Sequence, residues 1–427
     1  MPAQASRSAA LGSMAAMFPV TTALMALNFL VFIAMLTRGV SVSGPSSAQL
    51  IQWGSDFGPL TLAGQWWRIF TCMFVHIGII HIATNMWCLW SIGPLAERIF
   101  GRWIYVLVYL YTGVSASLLS LLAHPLVPSA GASGAIFGVA GALIPAFYFG
   151  KLPIPPQAVK ATVKSLIVFA IINLAIGAEI PGIDNAGHIG GLVLGLMIGA
   201  LLSRSLTAAP DVKRTTALMV FALLALALFY GEHIVRRAAG FVVPYYNAEI
   251  ALEKGDTPRA VTELSAVVAQ QPRLADAQFL LGNALLRLKQ YPKAEAPLKK
   301  TTELSPNSAE AWVQLCYLHD EMKKFDQAYS ECERALALIP GEAAALDDQA
   351  SALIGLKKYD EAIAILGKLT KEHPEMLAAW NDLGQAYAET GHYKEAADAY
   401  QQALKIDPKN QEAQAGAEAA LQRWGRR

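Results

Sequence analysis

Charged side chains are scarce in this sequence. Asp, Glu, Lys and Arg supply 16% of the 427 residues and hydrophobic residues supply 54%, whereas about a quarter of a typical soluble domain is charged. The scarcity is local, because charges are sparse up to about residue 240 and the remainder is rich in Ala, Glu, Lys and Gln. The chain therefore has two unlike parts, and the first is solvated by something other than water.

Two further absences narrow the classes of function. The net charge is only +1 and there is no basic stripe or pattern of stacking aromatic residues, so nucleic acid is not an expected partner. The four cysteines form no CxxC pair and show no zinc-like spacing with histidine, and we expect no cofactor or metal. For Cys316 and Cys332 in the second part we expect buried free thiols, although an oxidising compartment would permit a disulfide between them.

Long apolar runs recur in the first part, after a tail over residues 1–17. A membrane-spanning helix needs about 20 mostly apolar residues. The first run is too long for the core of a cleaved signal peptide and is interpreted as an uncleaved helix. Lys160 and Lys164 crowd the start of the fifth run and would snorkel to the interface. The predicted spans are 18–37, 75–96, 103–123, 133–149, 163–180, 187–204 and 215–235.

Lys and Arg in the connecting segments set the expected orientation. With the N-terminus inside, the inner segments hold nine of these residues and the outer segments four, so we expect a cytoplasmic N-terminus. Seven spans then put residues 241–427 outside the cytoplasm, although Arg236 and Arg237 just beyond the last span argue the other way. We expect a bacterial inner membrane, since no organelle-targeting segment is evident.

Polar residues lie near the starts of the even-numbered spans. His81 and Asn85 lie in the first half of the second span, Ser133 opens the fourth and His188 opens the sixth. All four are therefore expected at similar depth, toward the outer face. Polar side chains within spans are costly and indicate a functional site; the alternative is that they join helices by hydrogen bonds.

These residue types suit nucleophilic catalysis. A serine becomes an effective nucleophile when a nearby imidazole takes its proton, and His81 and Asn85, on one helix face, would donate to a developing oxyanion. Asp184 lies in the outer loop, so the sequence predicts a Ser–His dyad without a carboxylate. Close packing of the fourth and sixth spans is predicted from their small-residue ridges, which consist of Gly134, Gly138, Gly141, Gly187, Gly191, Gly195 and Gly199.

Residues 60–200 resemble a rhomboid intramembrane serine protease. The resemblance rests on QWWRIFTCMFVH before the second span, HIGIIHIATNM within it, GASGAIFG at the fourth span and DNAGHIGGLVLG at the sixth. It implies a bundle of six core helices plus a seventh, with Ser133 as nucleophile, His188 as general base, and His81 and Asn85 as oxyanion partners. It also implies that the substrates are transmembrane proteins.

Other positions match the family pattern or depart from it. The resemblance implies structural roles for Trp67–Arg68 and His76, and it matches Glu97–Arg98 to a polar pair that ends the second span. Phe137 replaces a Tyr that stacks on the catalytic His in many bacterial relatives, so the ring face is kept and the hydroxyl is lost. Gly187 replaces a common Ala. Neither change removes a catalytic group.

The second part repeats with a period of 34 residues. Prolines recur at that interval, which is typical of tetratricopeptide (TPR) repeats. We predict about five repeats over 241–427, the first degenerate, with a capping helix near 411–424. Such an array forms an α-solenoid whose groove binds a peptide or protein; the alternative is a spacer or dimerisation domain. The repeating prolines are Pro272, Pro306, Pro340, Pro374 and Pro408.

The sequence thus predicts an all-α protein with a membrane protease core over 18–204, a seventh helix and linker over 205–240, and a TPR array over 241–427. The predicted function is cleavage of transmembrane or juxtamembrane segments, with the array recruiting proteins. The alternative is a catalytically silent, rhomboid-like membrane adaptor that binds transmembrane clients.

Overall fold

The computed structural model describes residues 16–426 of the chain. Most of the predicted tail over 1–17 lies outside the described residues. The described part is helical and divides into two compact units between Val243 and Pro244. The predicted subdivision of the first unit at residue 204 stays a prediction.

The described residues of the first unit contain seven apolar helices of 17 or more residues, and each corresponds to one predicted span. Six are long and apolar enough to cross a membrane, and α4 is an apolar helix of 17 residues. The helices are α1 (Pro19–Thr37), α2 (Gly78–Phe100), α3 (Arg102–Ala123), α4 (Ser133–Phe149), α5 (Pro156–Glu179), α6 (Asn185–Ser203) and α7 (Pro210–Ala239).

Helix α5 begins seven residues before the predicted span, at Pro156. Proline is well suited to the first turn of a helix, where its missing N–H costs nothing. Lys160 and Lys164 therefore lie inside the helix. Hydropathy indicates where the apolar region begins, and the helix extends beyond it.

Helices α4 and α6 pack backbone against backbone. Nearly all of α4 is buried, and a Cβ added at Gly191, Gly195 or Gly199 would overlap a backbone carbonyl of α4. The carbonyls belong to Gly134, Gly138 and Ala142 respectively. The close approach predicted from the glycine spacing is present, because any side chain on this ridge of α6 would push the helices apart.

The segment between α1 and α2 contains three short helices, Ser47–Gln52, Gly58–Leu62 and Arg68–Thr71, and a 3₁₀ turn over Cys72–Phe74. The buried Arg68 holds this segment together. Its Nη1 donates to the carbonyl oxygens of Ile51 at 2.7 Å and Ser55 at 3.0 Å. Arg68 thus pairs the carbonyl of the buried Ser55 and gives a further donor to the carbonyl of Ile51, which also accepts from the Gly54 N–H.

Glu97, near the end of α2, fixes the start of α1. Its carboxylate accepts hydrogen bonds from the backbone N–H groups of Val20 and Thr21 and from the Thr21 hydroxyl, at 2.9–3.1 Å. The first N–H groups of a helix have no partner within it. The buried carboxylate therefore closes one end of α1 and ties it to α2.

The second unit is a TPR-like stack of helix pairs. In the second to fifth repeats the first helix packs against the second, and the first helices of successive repeats from the second onward also contact one another. The helices are α8 (Val242–Glu253), α9 (Thr257–Gln270), α10 (Ala275–Arg287), α11 (Tyr291–Leu304), α12 (Ala309–Glu321), α13 (Phe325–Leu338), α14 (Ala343–Gly355), α15 (Tyr359–Glu372), α16 (Leu377–Glu389), α17 (Tyr393–Ile406) and α18 (Gln411–Trp424).

The third repeat contains a disulfide. Cys316 on α12 and Cys332 on α13 are both buried, and their sulfur atoms are bonded with the Cα atoms 5.4 Å apart. The expectation of free thiols is therefore wrong. The two core positions of one repeat face each other closely enough for the bond to form.

Candidate active site

Ser133 and His188 meet where α4 and α6 begin. Ser133 is the first residue of α4 and His188 lies in the first turn of α6. The hydroxyl Oγ of Ser133 lies 2.9 Å from His188 Nε2. With Nε2 accepting from the hydroxyl, the neutral imidazole carries its proton on Nδ1.

The His188 ring is held by an aromatic face. Phe137, one turn after Ser133, stacks on the imidazole with ring centroids 4.4 Å apart and planes 9° apart. His188 Nδ1 has no hydrogen-bond partner among the described residues. The Asp184 carboxylate instead accepts from the Gly187 N–H at 2.8 Å and the Ser129 hydroxyl at 2.6 Å. The ring is therefore oriented by packing and not by an acidic group.

His81 and Asn85 lie one helical turn apart on α2. His81 Nδ1 accepts from the Ile77 N–H at 3.2 Å, so in the neutral ring Nε2 carries the proton and is a donor. Asn85 Nδ2 donates one hydrogen to the His81 carbonyl oxygen at 2.9 Å, and its second hydrogen is available. Both side chains line the same cavity as Ser133.

The strand-like segment before Ser133 is tied to the first loop. Asp56 and Ser129 exchange two backbone hydrogen bonds of 2.9 and 2.8 Å, and the Asp56 side chain is buried and accepts from the Thr61 hydroxyl at 2.7 Å. Burial raises the pKa of Asp56 to about 7. Gly131 has φ +128° and lies against the His81 ring, where a Cβ would overlap it. This position therefore requires glycine.

Sequence reasoning missed the roles of Ser129 and Asp56, and it left Asp184 in the outer loop without a function. For Asp184 a signal was present, because an Asp placed three residues before the N–H that it accepts from is typical of a helix N-cap. The pairing of Asp56 with Ser129 joins distant parts of the chain and has no local sequence signal.

A cavity of about 590 Å³ connects the four predicted residues. Helices α2, α4, α5 and α6 all contribute to its wall, and α5 supplies Phe169 and Asn173 to the lining. Phe169 also packs on Phe137 with ring centroids 5.4 Å apart. The cavity is large enough for several residues of an extended peptide beside the Ser133 hydroxyl.

Replacing Phe137 by alanine tests the role of the stacked ring. We expect a fall in cleavage rate of about 10-fold or more at unchanged KM, because the imidazole loses the contact that orients it. Phe137→Tyr keeps the ring face and should retain most of the rate. Rates are measured with a purified transmembrane substrate, and equal rates for wild type and Phe137→Ala would contradict the orienting role.

Both parts of the chain match known protein families. Residues 63–205 match the Rhomboid domain, and residues 247–309 and 348–411 match tetratricopeptide repeats. The chain carries a rhomboid domain. Rhomboid protease GluP of Bacillus subtilis (strain 168) is 31% identical over 294 residues, which are 69% of this chain and 56% of that protein. The rhomboid domain holds all four predicted site residues.

RHOMBOID-like protein 4 of Arabidopsis thaliana is 35% identical over 167 residues, covering 39% of this chain and 42% of that protein. The chain spans about half the length of the curated relatives it matches. Among solved structures, the TPR protein YrrB is 18% identical with a TM-score of 0.36, covering 40% of this chain and 88% of its own.

Proposed function

We propose that this protein is an intramembrane serine endopeptidase with Ser133 as nucleophile and His188 as general base. The observation that carries the proposal is the 2.9 Å contact between Ser133 Oγ and His188 Nε2, in a cavity walled by apolar helices. A hydroxyl hydrogen-bonded to a neutral imidazole is the arrangement that nucleophilic catalysis needs. The rhomboid domain supports the same chemistry.

The reaction passes through an acyl-enzyme. Ser133 Oγ attacks the scissile carbonyl carbon while its proton moves to His188 Nε2, and the imidazolium then returns the proton to the leaving amine. A water molecule, deprotonated by His188, attacks the ester carbonyl, and Ser133 recovers its proton when the carboxyl product leaves. Stacking on Phe137 keeps the ring in place through both steps.

Three hydrogen-bond donors at this cavity could stabilise the oxyanion. The Nε2–H of His81 and the second Nδ2–H of Asn85 face the cavity, and the Ser133 N–H, first in α4, has no partner within its helix. Removing one such donor typically costs about 3–4 kcal/mol in the barrier. We assign His81 and Asn85 to this role.

The substrate is a transmembrane or juxtamembrane segment of another protein. A helix satisfies its own backbone hydrogen bonds in lipid, so a scissile carbonyl is accessible to Ser133 only where the helix is unwound. We expect cleavage near helix-weakening residues such as Gly, Pro or Ser. The repeat array recruits the substrate or an accessory protein.

We place the site and the array on the extracytoplasmic side of a bacterial inner membrane. The excess of Lys and Arg in the inner segments and the odd number of spans support this orientation. The disulfide between Cys316 and Cys332 supports it independently, because disulfides persist in oxidising compartments and are rare in the cytosol.

Alkylation tests the location of the array. In protein denatured without reductant, we expect Cys316 and Cys332 to resist maleimide, whereas reduction exposes both. Mass spectrometry of the two peptides gives the result. Full alkylation without reductant would contradict an oxidising location.

Replacing both cysteines by serine should lower the free energy of unfolding of the array by about 3 kcal/mol.

A fluorophosphonate probe tests the proposed chemistry directly, since it phosphonylates an activated serine. We expect labelling at Ser133 in the wild type and none in His188→Ala. A protein that binds transmembrane clients but takes no label would be the silent adaptor.

A further inference from the structure

An acidic stripe runs along the first helices of the later repeats. We define it as Asp320 on α12, Asp347 and Asp348 on α14, Asp382 on α16 and Glu412 on α18. These four helices pack side by side. Asp348 and Asp382 are 34 residues apart, which is the repeat period, so they occupy the same position in successive repeats.

The carboxylates of the stripe are close enough to repel one another. Burial and the neighbouring acidic groups raise the pKa of Asp347 to about 6 and those of Asp348 and Asp382 to about 8. Every charged group that shifts these three is acidic. A partly buried set of like charges without a counter-charge is unfavourable, and a bound cation would relieve it.

One member of the stripe, and the residue at the equivalent position of the next repeat, each have a buried acceptor without a donor. Asp347 is 9% exposed and Asn381, in the equivalent position of the next repeat, is 5% exposed. The Oδ1 atom of each has no hydrogen-bond partner among the described residues. Buried polar atoms are nearly always paired, so two such acceptors at equivalent positions indicate a ligand that carries donors.

We propose that the acidic stripe binds an extended protein segment carrying Lys or Arg side chains. The ammonium or guanidinium groups would neutralise the carboxylates of successive repeats and donate to the unpaired acceptors of Asp347 and Asn381. Tyr317, with 37% of its surface exposed, lies close enough to Asp320 and Asp348 to feel their charge, and its ring offers a face for a cation.

A single divalent ion fits this surface less well. Among the described residues, the one group compatible with a metal combines Asp348 with Cys316 and Cys332, whose sulfur atoms are consumed by the disulfide. In the described part of the chain, no three carboxylates of the stripe are close enough together to bind one metal ion. Charges spread over several repeats suit an extended cationic ligand.

This inference rests on the recruiting role proposed above and names its ligand class. The test uses full-length Ser133→Ala protein in zwitterionic nanodiscs and a fluorescent peptide of alternating Lys and Ala, with the matched Glu–Ala peptide as control. At slightly alkaline pH, fluorescence anisotropy should show that the Lys–Ala peptide binds and that the Glu–Ala peptide does not. Asp348→Asn/Asp382→Asn should weaken binding at least about ten-fold.

The control variant carries the same change of charge elsewhere. Glu372→Gln/Asp398→Asn alters exposed acids on the second helices α15 and α17, and its Kd should stay within about two-fold of the wild type. The stripe variant should also unfold at a higher temperature than wild type, because repulsion is removed, and that shift shows that the array remains folded.

Three outcomes would overturn the proposal. They are equal affinity for the two peptides, equal affinity of the stripe variant and the wild type, and stabilisation by Ca²⁺ without binding of the lysine peptide. Because the assay measures binding in a protein lacking the Ser133 hydroxyl, its failure leaves the proposed proteolysis untouched. Loss of proteolysis would likewise leave the binding result standing.

Discussion

Replacement of Ser133 by alanine is expected to reduce cleavage of a transmembrane substrate by at least about 10³-fold. The substitution removes the only atom that would form the acyl bond, while the cavity and the oxyanion donors remain. Cleavage is followed by gel mobility of a purified substrate in proteoliposomes, with protease and substrate in the same bilayer.

Two further variants make this result specific. His188→Ala should lose about as much rate as Ser133→Ala, and the double variant should lose no more, because residues that act as a unit are not additive. Ser165→Ala should cleave at the wild-type rate, since that exposed hydroxyl bonds only to the Ala161 carbonyl of its own helix at 3.0 Å. Cleavage that survives Ser133→Ala would refute the proposed nucleophile.

Alanine at Gly191 is expected to lower the cleavage rate by about 10²-fold. A Cβ at this position would overlap the carbonyl oxygen of Gly134, which directly follows Ser133, and Gly191 itself lies three residues after His188. The obstacle is backbone and cannot rotate away, so the helices must separate and the Oγ to Nε2 distance must grow. Thermal unfolding of the purified protein should show a lowered midpoint as well.

Gly231→Ala on α7 provides the matched control. A Cβ there would lie 3.7 Å from Leu118 Cδ1, which is an ordinary van der Waals contact. We expect an unchanged rate and equal or slightly higher stability, since alanine favours helix over glycine. Wild-type activity in Gly191→Ala would show that the glycine ridge does not determine the position of the proposed dyad.

The pairing of Ser133 with His188 was predictable because its causes are local and periodic. Glycine every fourth residue marks one face of α6, and that face leads from Gly187, beside His188, to the rest of the ridge. Only one orientation of such a helix allows backbone contact with α4. The positions of the two side chains then follow from their places at the helix starts.

The first loop was not predictable in the same way. Its helices are four to six residues long, too short for a hydrophobic period to be recognised. They are held by tertiary contacts such as those of Arg68 and the pairing of Asp56 with Ser129. Such contacts depend on residues far apart in sequence.

In the repeat array, the positions of the residues were predictable from the sequence, but their chemical state and hydrogen bonding were not. The 34-residue period predicts that Cys316 and Cys332 lie at core positions of one repeat. Whether they are free thiols or form a disulfide depends on the compartment. The acidic stripe was within reach of sequence reasoning, since superposing the repeats aligns Asp348 with Asp382. The unpaired acceptors of Asp347 and Asn381 become evident only when burial and hydrogen bonds are known.

The covalent link inside the third repeat also sets the order in which the array comes apart. In stacked repeats each unit contacts only its neighbours, so fraying enters at the ends and moves inward unit by unit. The Cys316–Cys332 bond keeps α12 and α13 joined, so we expect fraying from the C-terminal end to slow at this repeat. Repeats four and five would therefore unfold before the clamped unit does.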